Sequence, residues 1–242
     1  VLTEGTKPLS VKAFEAAAEE TGALILDTRD PDLFFRGYIP QSVNIGLNGD
    51  FAPWVGALIV NVNQPILLVC NEDKQEEAIT RLSRIGFDHV IGFLSGGYEA
   101  WLNAGKPVDT IERIDAKLFE ENYDPTTDQV IDIRRESEFA AEHIENAYNK
   151  PLSYINDWIK DIDPKQHFFM HCAGGYRSMI AASILKQQGF KDLTDVAGGY
   201  GAIQKTSVET TNPNVEVIED WSLLKNVDVI IIAVSDDAIA NV

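Results

Sequence analysis

An internal repeat constrains the fold of this chain more than any other feature of its sequence. A segment of about a hundred residues occurs twice, and each copy contains an Asp-x-Arg triplet, a cysteine and a Gly-Gly-Tyr triplet in the same order. These landmarks begin at Asp27, Cys70 and Gly96 in the first copy and at Asp132, Cys172 and Gly198 in the second. The spacing between matching residues is nearly constant, which predicts two tandem domains with the same fold.

Each copy alternates short runs of valine, isoleucine and leucine with segments of helical spacing, such as residues 11–20 and 116–122. This alternation is typical of α/β domains, in which helices flank a parallel sheet. We therefore predict an α/β fold with a diverged domain over residues 1–110, a domain with an active-site loop over residues 111–208, and a strand-helix-strand tail over residues 209–242.

The second copy places a cysteine between a predicted strand and a predicted helix. The apolar run Phe168–Met170 precedes Cys172, and helical spacing of apolar residues then extends from Ile180 to Gly189. Ser178 belongs to a residue type that caps helix N-termini, and we interpret it as the cap. Cys172 is therefore expected at the end of a strand, where it faces the start of a helix.

The loop that follows this cysteine has the composition of an anion-binding cradle. Gly174 and Gly175 allow the backbone to curl so that successive N–H groups point inward, and a helix N-terminus favours negative charge. N–H donors and the guanidinium of Arg177 would favour the thiolate form of Cys172. A lone cysteine is more often a small buried hydrophobe, but the glycines and the arginine favour a nucleophile here.

The matching loop of the first copy has a different chemistry. It reads Asn-Glu-Asp-Lys-Gln-Glu over residues 71–76, with acidic residues in place of the glycines and Gln75 in place of the arginine. Carboxylates beside a thiol raise its pKa and repel anionic donors. We therefore predict that Cys70 is an inactive equivalent of Cys172. The first domain is expected to have a supporting or docking role instead of a catalytic one.

Charge and cysteine content limit the classes of partner. The 38 acidic residues outnumber the 20 basic ones and give a net charge of −18, which opposes binding to nucleic acid or to an anionic membrane. We expect neither a signal peptide nor a spanning helix. No charged-then-apolar segment opens the given sequence, and its longest apolar run, Val229–Val234, is much shorter than the roughly 20 residues of a spanning helix. Two cysteines do not resemble a secreted disulfide framework. We expect a cytoplasmic protein whose partners are small molecules or proteins.

The sequence predicts neither a metal site nor a cofactor. Only two of the four histidines are four residues apart, and they lie on a strand-like run where this spacing does not bring the side chains together. We interpret all four as structural or surface residues: His89, His143, His167 and His171.

Four motifs of the second copy resemble, in their order, the rhodanese family of sulfurtransferases. They are Asp-Ile-Arg at 132–134, the His-Ile to Pro segment at 143–151, the Cys172 loop, and Gly-Gly-Tyr at 198–200. The match covers residues 112–206, and the first copy resembles a diverged rhodanese domain. The resemblance implies that Cys172 receives sulfane sulfur from thiosulfate or a persulfide and passes it to a thiol or to cyanide.

The same resemblance implies roles for the residues of the loop. Cys172 and Arg177 would be catalytic, with the arginine holding the anionic donor. An equally weighted alternative for Arg177 is a salt bridge to a framework carboxylate such as Asp132. Asp132 and Arg134 would be scaffold residues near the site, and substrate would be bound by the remaining loop residues, Ala173, Gly174, Gly175, Tyr176 and Ser178.

A narrower resemblance concerns the whole arrangement of the chain. The segment Phe51–Gly56, together with a degenerate first copy and an intact second one, is similar to the C-terminal half of metallo-β-lactamase-fold/rhodanese fusion proteins. This similarity implies a persulfide dioxygenase as a partner. The His-x-His-x-Asp-His metal cluster does not occur in this sequence, so we expect no oxidation site in the chain itself.

Two other functions remain open from the sequence. A cysteine phosphatase or arsenate reductase also uses a cysteine in an anion cradle, but such phosphatases place five residues between cysteine and arginine, and here there are four. A non-catalytic module could instead carry persulfide as a signal or deliver it to one attached partner. Steady turnover with thiosulfate and cyanide would distinguish the enzyme from the module.

The tail does not belong to either copy of the repeat. Val215–Ile218 and Val229–Val234 read as strands around a short helical segment, which resembles part of a Rossmann-type fold. No Gly-x-Gly-x-x-Gly motif accompanies them, so we predict no dinucleotide binding. An exposed apolar strand would pair with another edge, and homodimerisation through this tail is a hypothesis.

Overall fold

Two parallel β-sheets, one from each copy of the repeat, form the framework of the protein. The structure is a computed structural model, and it describes residues 7–211. Within these residues each sheet has five strands, and the strands follow the same spatial order in both sheets. The identical order confirms the prediction of two α/β domains, each with a parallel sheet flanked by helices.

The first domain contains five strands and five helices within the described residues. The strands are β1 Pro8–Leu9, β2 Leu24–Asp27, β3 Val43–Asn44, β4 Ile66–Val69 and β5 Val90–Leu94. The helices are α1 Val11–Thr21, α2 Pro31–Phe34, α3 Phe51–Leu58, α4 Gln75–Ser83 and α5 Gly97–Asn103. All neighbouring strands of this sheet run parallel.

The second domain repeats this plan. Its strands are β6 Glu112–Ile114, β7 Val130–Asp132, β8 Tyr148–Asn149, β9 Phe168–His171 and β10 Leu193–Val196. Its helices are α6 Ala116–Asn122, α7 Glu136–Ala141, α8 Ile155–Trp158, α9 Tyr176–Gln187 and α10 Gly199–Thr211, and two 3₁₀ turns, Leu152–Tyr154 and Ile159–Asp161, flank α8. Again, all neighbouring strands run parallel. The strand order is β1-β5-β4-β2-β3 in the first sheet and β6-β10-β9-β7-β8 in the second.

The central strand of each sheet leads directly to a cysteine. Every residue of β4 and of β9 is buried, because helices cover both faces of a parallel sheet. Cys70 follows β4 and Cys172 follows β9, so both cysteines lie at the carboxyl edge of their sheets. This edge is where α/β domains usually bind ligands.

The repeated Asp-x-Arg triplet forms a buried ion pair in both domains. Arg134 donates from Nε and Nη2 to the carboxylate of Asp132, the shortest contact being 2.6 Å, and its guanidinium lies 3.9 Å from the ring centroid of Tyr200. Arg29 makes the same contacts with Asp27 and lies 4.1 Å from the ring centroid of Tyr98. The Gly-Gly-Tyr triplet is thus packed against the Asp-x-Arg triplet in each copy.

The two domains share buried apolar surface. One hydrophobic cluster contains Phe51, Val55 and Leu58 of α3 together with Ile155 and Trp158 of α8. The segment that joins the domains lies against the first domain, where Asp109 pairs with Tyr38 through backbone hydrogen bonds of 3.0 Å in both directions. Both sheets fall within one compact unit, Val1–Thr206.

The predicted tail over 209–242 lies outside the described residues apart from the end of α10. Its strands, its Rossmann-like character and dimerisation through it stay predictions. Within residues 7–211, no helix combines the length and the hydrophobicity that crossing a bilayer requires.

Candidate active site

Cys172 lies at the floor of a loop that curls around its sulfur. The residue is 1% exposed, and the backbone N–H of Gly175 donates to Sγ over 3.1 Å. Gly175 is the N-cap of α9 and has a φ of +100°, a backbone conformation that residues with a side chain rarely adopt. The glycine therefore turns the loop so that a helix N-terminus faces the sulfur.

The interpretation of Ser178 as the helix cap is wrong. Helix α9 already begins at Tyr176, so Ser178 lies inside its first turn. The Ser178 hydroxyl donates to the carbonyl of Gly175 over 3.3 Å and is fully buried. Its side chain stabilises the turn from within the fold and does not line the cavity above Cys172.

The Gly-Gly-Tyr turn supports the loop from behind. The N–H of Tyr200 donates to the carbonyl of Cys172 over 2.7 Å, and the N–H of Gly201 donates to that of Ala173 over 3.3 Å. Gly199 has φ of +58°, and a β-carbon at this position would overlap the Cys172 carbonyl. The absence of a side chain at Gly199 is thus what lets the turn approach the cysteine loop.

Arg177 is held by a carboxylate other than the one suggested from the sequence. Its guanidinium donates to both oxygens of Glu138, over 2.6 and 2.8 Å. Asp132 is instead engaged by Arg134. The hydrogen bonds from Arg177 lower the pKa of Glu138 to about 2, so this carboxylate is ionised at neutral pH and balances the arginine.

A cavity of about 470 Å³ opens above Cys172. The second domain contributes the loop, together with Arg135 and Glu138, and the first domain contributes a wall. The lining residues are Gly49, Asp50, Trp54, Arg135, Glu138, Cys172, Ala173, Gly174, Tyr176 and Arg177. Both domains therefore shape the space that a substrate of Cys172 would occupy.

Sequence reasoning missed five of these lining residues, namely Gly49, Asp50, Trp54, Arg135 and Glu138. Trp54 lies in the segment Phe51–Gly56, which drew attention only through the fusion resemblance. Arg135 directly follows the Asp-x-Arg triplet, and its side chain is exposed with no ion-pair partner among the described residues. Position next to a repeated triplet is the signal that could have pointed to it.

Tyr176 connects the loop to the first domain. Its hydroxyl donates to the carbonyl of Gly46 over 2.7 Å, and burial raises its pKa, so the hydroxyl stays protonated. Ala173 and Gly174, the other two predicted substrate-binding residues of the cradle, line the cavity beside Cys172.

His171 is buried directly beneath the loop. Its Nδ1 lies 3.2 Å from the carbonyl of Cys172, and its Nε2 lies 3.9 Å from a carboxylate oxygen of Asp132 without a hydrogen-bond partner among the described residues. Burial lowers the pKa of His171, so its ring is neutral at neutral pH. No group of histidine, cysteine and acidic residues within 7–211 is arranged to hold a metal ion.

Cys70 lines a cavity of about 660 Å³, which is larger than the one above Cys172. The surroundings of its sulfur differ from those of Cys172. Within residues 7–211, no backbone N–H donates to its sulfur as Gly175 does to Cys172. Burial raises the pKa of the Cys70 thiol to about 12, with Asp27 adding to the effect and the Thr28 hydroxyl opposing it. Burial is therefore the main cause, whereas the sequence had suggested the acidic residues of the loop.

Comparison with known proteins identifies the family of both domains. The family described as rhodanese-like domain matches residues 10–104 and 115–206. The chain is 30% identical over 97 residues to thiosulfate sulfurtransferase GlpE of Pseudomonas syringae pv. syringae, a match that covers 40% of this chain and 87% of GlpE. It is 32% identical over 104 residues to adenylyltransferase and sulfurtransferase UBA4 of Candida glabrata, covering 37% of this chain but only 24% of UBA4.

Among solved structures, the rhodanese-related protein from Thermoplasma volcanium is 29% identical, with a TM-score of 0.36 and coverage of 38% of this chain and 90% of that chain. The family match extends over most of the sequence and includes four of the five strands of each sheet together with its cysteine. This chain belongs to the rhodanese-like domain family and contains two copies of that domain in tandem.

Proposed function

We propose that this protein is a sulfurtransferase in which Cys172 carries sulfane sulfur from thiosulfate or a persulfide to a thiol or to cyanide. The observation that supports this most directly is the Gly175 N–H at 3.1 Å from the Cys172 sulfur. An inward-pointing amide at a helix N-terminus stabilises both a thiolate and the negative terminal sulfur of a persulfide. The relative named thiosulfate sulfurtransferase supports the same chemistry.

The reaction proceeds in two balanced displacements. The Cys172 thiolate attacks the outer sulfur of thiosulfate, a sulfur–sulfur bond forms on Cys172, and sulfite leaves with the electron pair of the broken bond. Cyanide then attacks the terminal sulfur of this persulfide, thiocyanate forms, and the electron pair returns to Cys172. Neither step needs an external oxidant, a reductant or a metal ion.

We assign the binding of an anionic donor to Arg135 rather than to Arg177. The guanidinium of Arg177 is already neutralised by Glu138, whereas that of Arg135 lines the same cavity without an ion-pair partner in the described part of the chain. The guanidinium of Arg135 would therefore attract a sulfur donor that carries negatively charged oxygen atoms. Arg177 would then hold the loop and α7 together.

Arg135→Gln is expected to raise the KM for thiosulfate about two- to fivefold, the size of one solvent-screened charge pair. The effect should shrink as salt is added, since exposed charges are screened. Arg84→Gln, at an exposed arginine of the first domain, is the matched control and should leave the KM unchanged. Steady-state kinetics at two salt concentrations test the assignment, and equal KM values for the wild type and Arg135→Gln would contradict it.

A persulfide dioxygenase acting in trans is a further part of the proposal. It rests only on the resemblance to fusion proteins, in which such an enzyme precedes two rhodanese domains. In that case the persulfide that the oxygenase uses would either donate its outer sulfur to Cys172 or be formed when Cys172 transfers its sulfur to a thiol.

Mass spectrometry of the intact protein after incubation with thiosulfate tests the proposed intermediate. We expect one added sulfur atom on Cys172 and none on Cys70. With its pKa at about 12, the Cys70 thiol is ionised at pH 8 in only about one molecule in ten thousand. Cys172→Ser and Cys70→Ser serve as matched variants. Sulfur on Cys70, or an unmodified Cys172, would contradict the proposal.

A further inference from the structure

Helix α9, which begins at the Cys172 loop, lies along the first domain. Three of its side chains face the segment 41–46, and each makes a hydrogen bond across the interface. The bonds join Tyr176 Oη to the Gly46 carbonyl over 2.7 Å, the Asn44 N–H to Ser183 Oγ over 2.9 Å, and Gln187 Nε2 to the Gln41 carbonyl over 3.2 Å. The helix therefore has a defined register against the first domain.

The contact at Tyr176 is also sterically tight. Gly49 lies against the face of the Tyr176 ring, and a β-carbon at this glycine would overlap the ring, with Cε1 at 2.8 Å. The ring thus fits only because position 49 has no side chain. Tyr176 directly follows Gly175, whose N–H contacts the cysteine sulfur, so a displaced ring displaces that donor.

The first-domain side of this contact is itself fixed. Arg81 donates from Nη1 to the carbonyl of Leu47 over 2.7 Å and from Nη2 to that of Gly49 over 3.4 Å. Its guanidinium also lies 5.1 Å from the ring centroid of Phe51. The segment that receives Tyr176 is therefore held by a helix of the first domain and is not a free loop.

From these contacts we infer that the first domain positions the reactive loop of the second, and that Tyr176 is the positioning residue. The inference rests on the proposed function only in taking Cys172 as the reacting group. Tyr176 does not touch the sulfur; it acts through the backbone of Gly175. The first domain would thus contribute to catalysis although its own cysteine receives no backbone N–H from the residues that the structure describes.

Site-resolved alkylation of the full chain tests this inference independently of turnover. The rate constant for modification of Cys172 by iodoacetamide at pH 7 is measured by mass spectrometry. Gly49→Ala should lower it by roughly 10- to 100-fold, the cost of misplacing a reacting group by about an ångström. Tyr176→Phe, which removes one hydrogen bond, should lower it about two- to tenfold. Gly56→Ala is the matched control, because nothing lies within 4 Å of a β-carbon there.

A double variant separates positioning from general damage. If Gly49→Ala acts through the tyrosine ring, then Gly49→Ala combined with Tyr176→Ala should react within about twofold of Tyr176→Ala alone. For turnover, kcat should fall in Gly49→Ala, since the displaced Gly175 N–H no longer faces the Cys172 sulfur.

An unchanged or faster alkylation in Gly49→Ala, or additive effects in the double variant, would overturn the inference. If Gly49→Ala does not fold, Tyr176→Phe carries the test, and an alkylation rate equal to that of the wild type overturns it. A wild-type protein without turnover, but with the expected coupling between positions 49 and 176, would contradict the proposed function and leave the positioning intact.

Discussion

Cys172→Ser is expected to lower sulfur transfer from thiosulfate to cyanide by at least about 10³-fold, to the level of the uncatalysed reaction. A serine hydroxyl is protonated at neutral pH, and its oxygen cannot carry the transferred sulfur as a persulfide. The cradle would still be present, because Gly175 and the Gly-Gly-Tyr turn do not depend on the side chain at 172. Thiocyanate formation under saturating thiosulfate measures the loss.

Cys70→Ser is the internal control for this experiment. The repeat supplies a cysteine at the same place in the fold, also buried, but no backbone N–H of the described part of the chain is directed at its sulfur. Turnover should stay within about twofold of the wild type. Activity that survives in Cys172→Ser, or disappears in Cys70→Ser, would exclude the proposed nucleophile. One labelling event on Cys172 without turnover would favour the persulfide-carrying module instead.

Asp132→Asn is expected to lower the free energy of unfolding by about 3–5 kcal/mol, the usual cost of removing one partner of a buried ion pair. The carboxylate is fully buried, and Arg134, which is 5% exposed, would keep its charge without compensation. Asp27→Asn in the first domain should cost a similar amount, since Arg29 makes the same contacts there. Urea denaturation with comparison of midpoints and slopes measures both losses.

Glu77→Gln provides the reference for an exposed pair. Glu77 contacts Lys74 over 2.9 Å at the surface, and its loss should cost less than about 1 kcal/mol. A loss below 1 kcal/mol at both Asp27 and Asp132 would show that the repeated triplet does not hold the carboxyl edge of the sheets.

Local patterns made the fold and the main loop predictable. The alternation of apolar runs with helical spacing, and a cysteine between a strand and a helix, are features of neighbouring residues. The repeat shows that both copies share them, and the structure has the two sheets that they indicate. The predicted roles of Cys172 and of the loop residues stay predictions, but the geometry brings the cysteine, Gly174 and Gly175 together at a helix N-terminus.

The contacts that sequence reasoning missed connect residues far apart in the chain. Glu138 is 39 residues from Arg177, so no local spacing identifies the pair. The wall formed by Asp50 and Trp54 comes from the other copy of the repeat. The helix cap was misplaced for a different reason: serine is a common cap by residue type, but here Gly175, with positive φ, is the cap, three residues before Ser178.

The order of the domains along the chain has a consequence for how the protein matures during synthesis. Residues 41–46, whose backbone groups form hydrogen bonds with side chains of α9, are translated long before α9 itself. Domains generally fold in the order in which they are made. The second domain would then complete its helix against a surface that already exists. A nascent chain would gain a correctly placed nucleophile at once, without a later docking step.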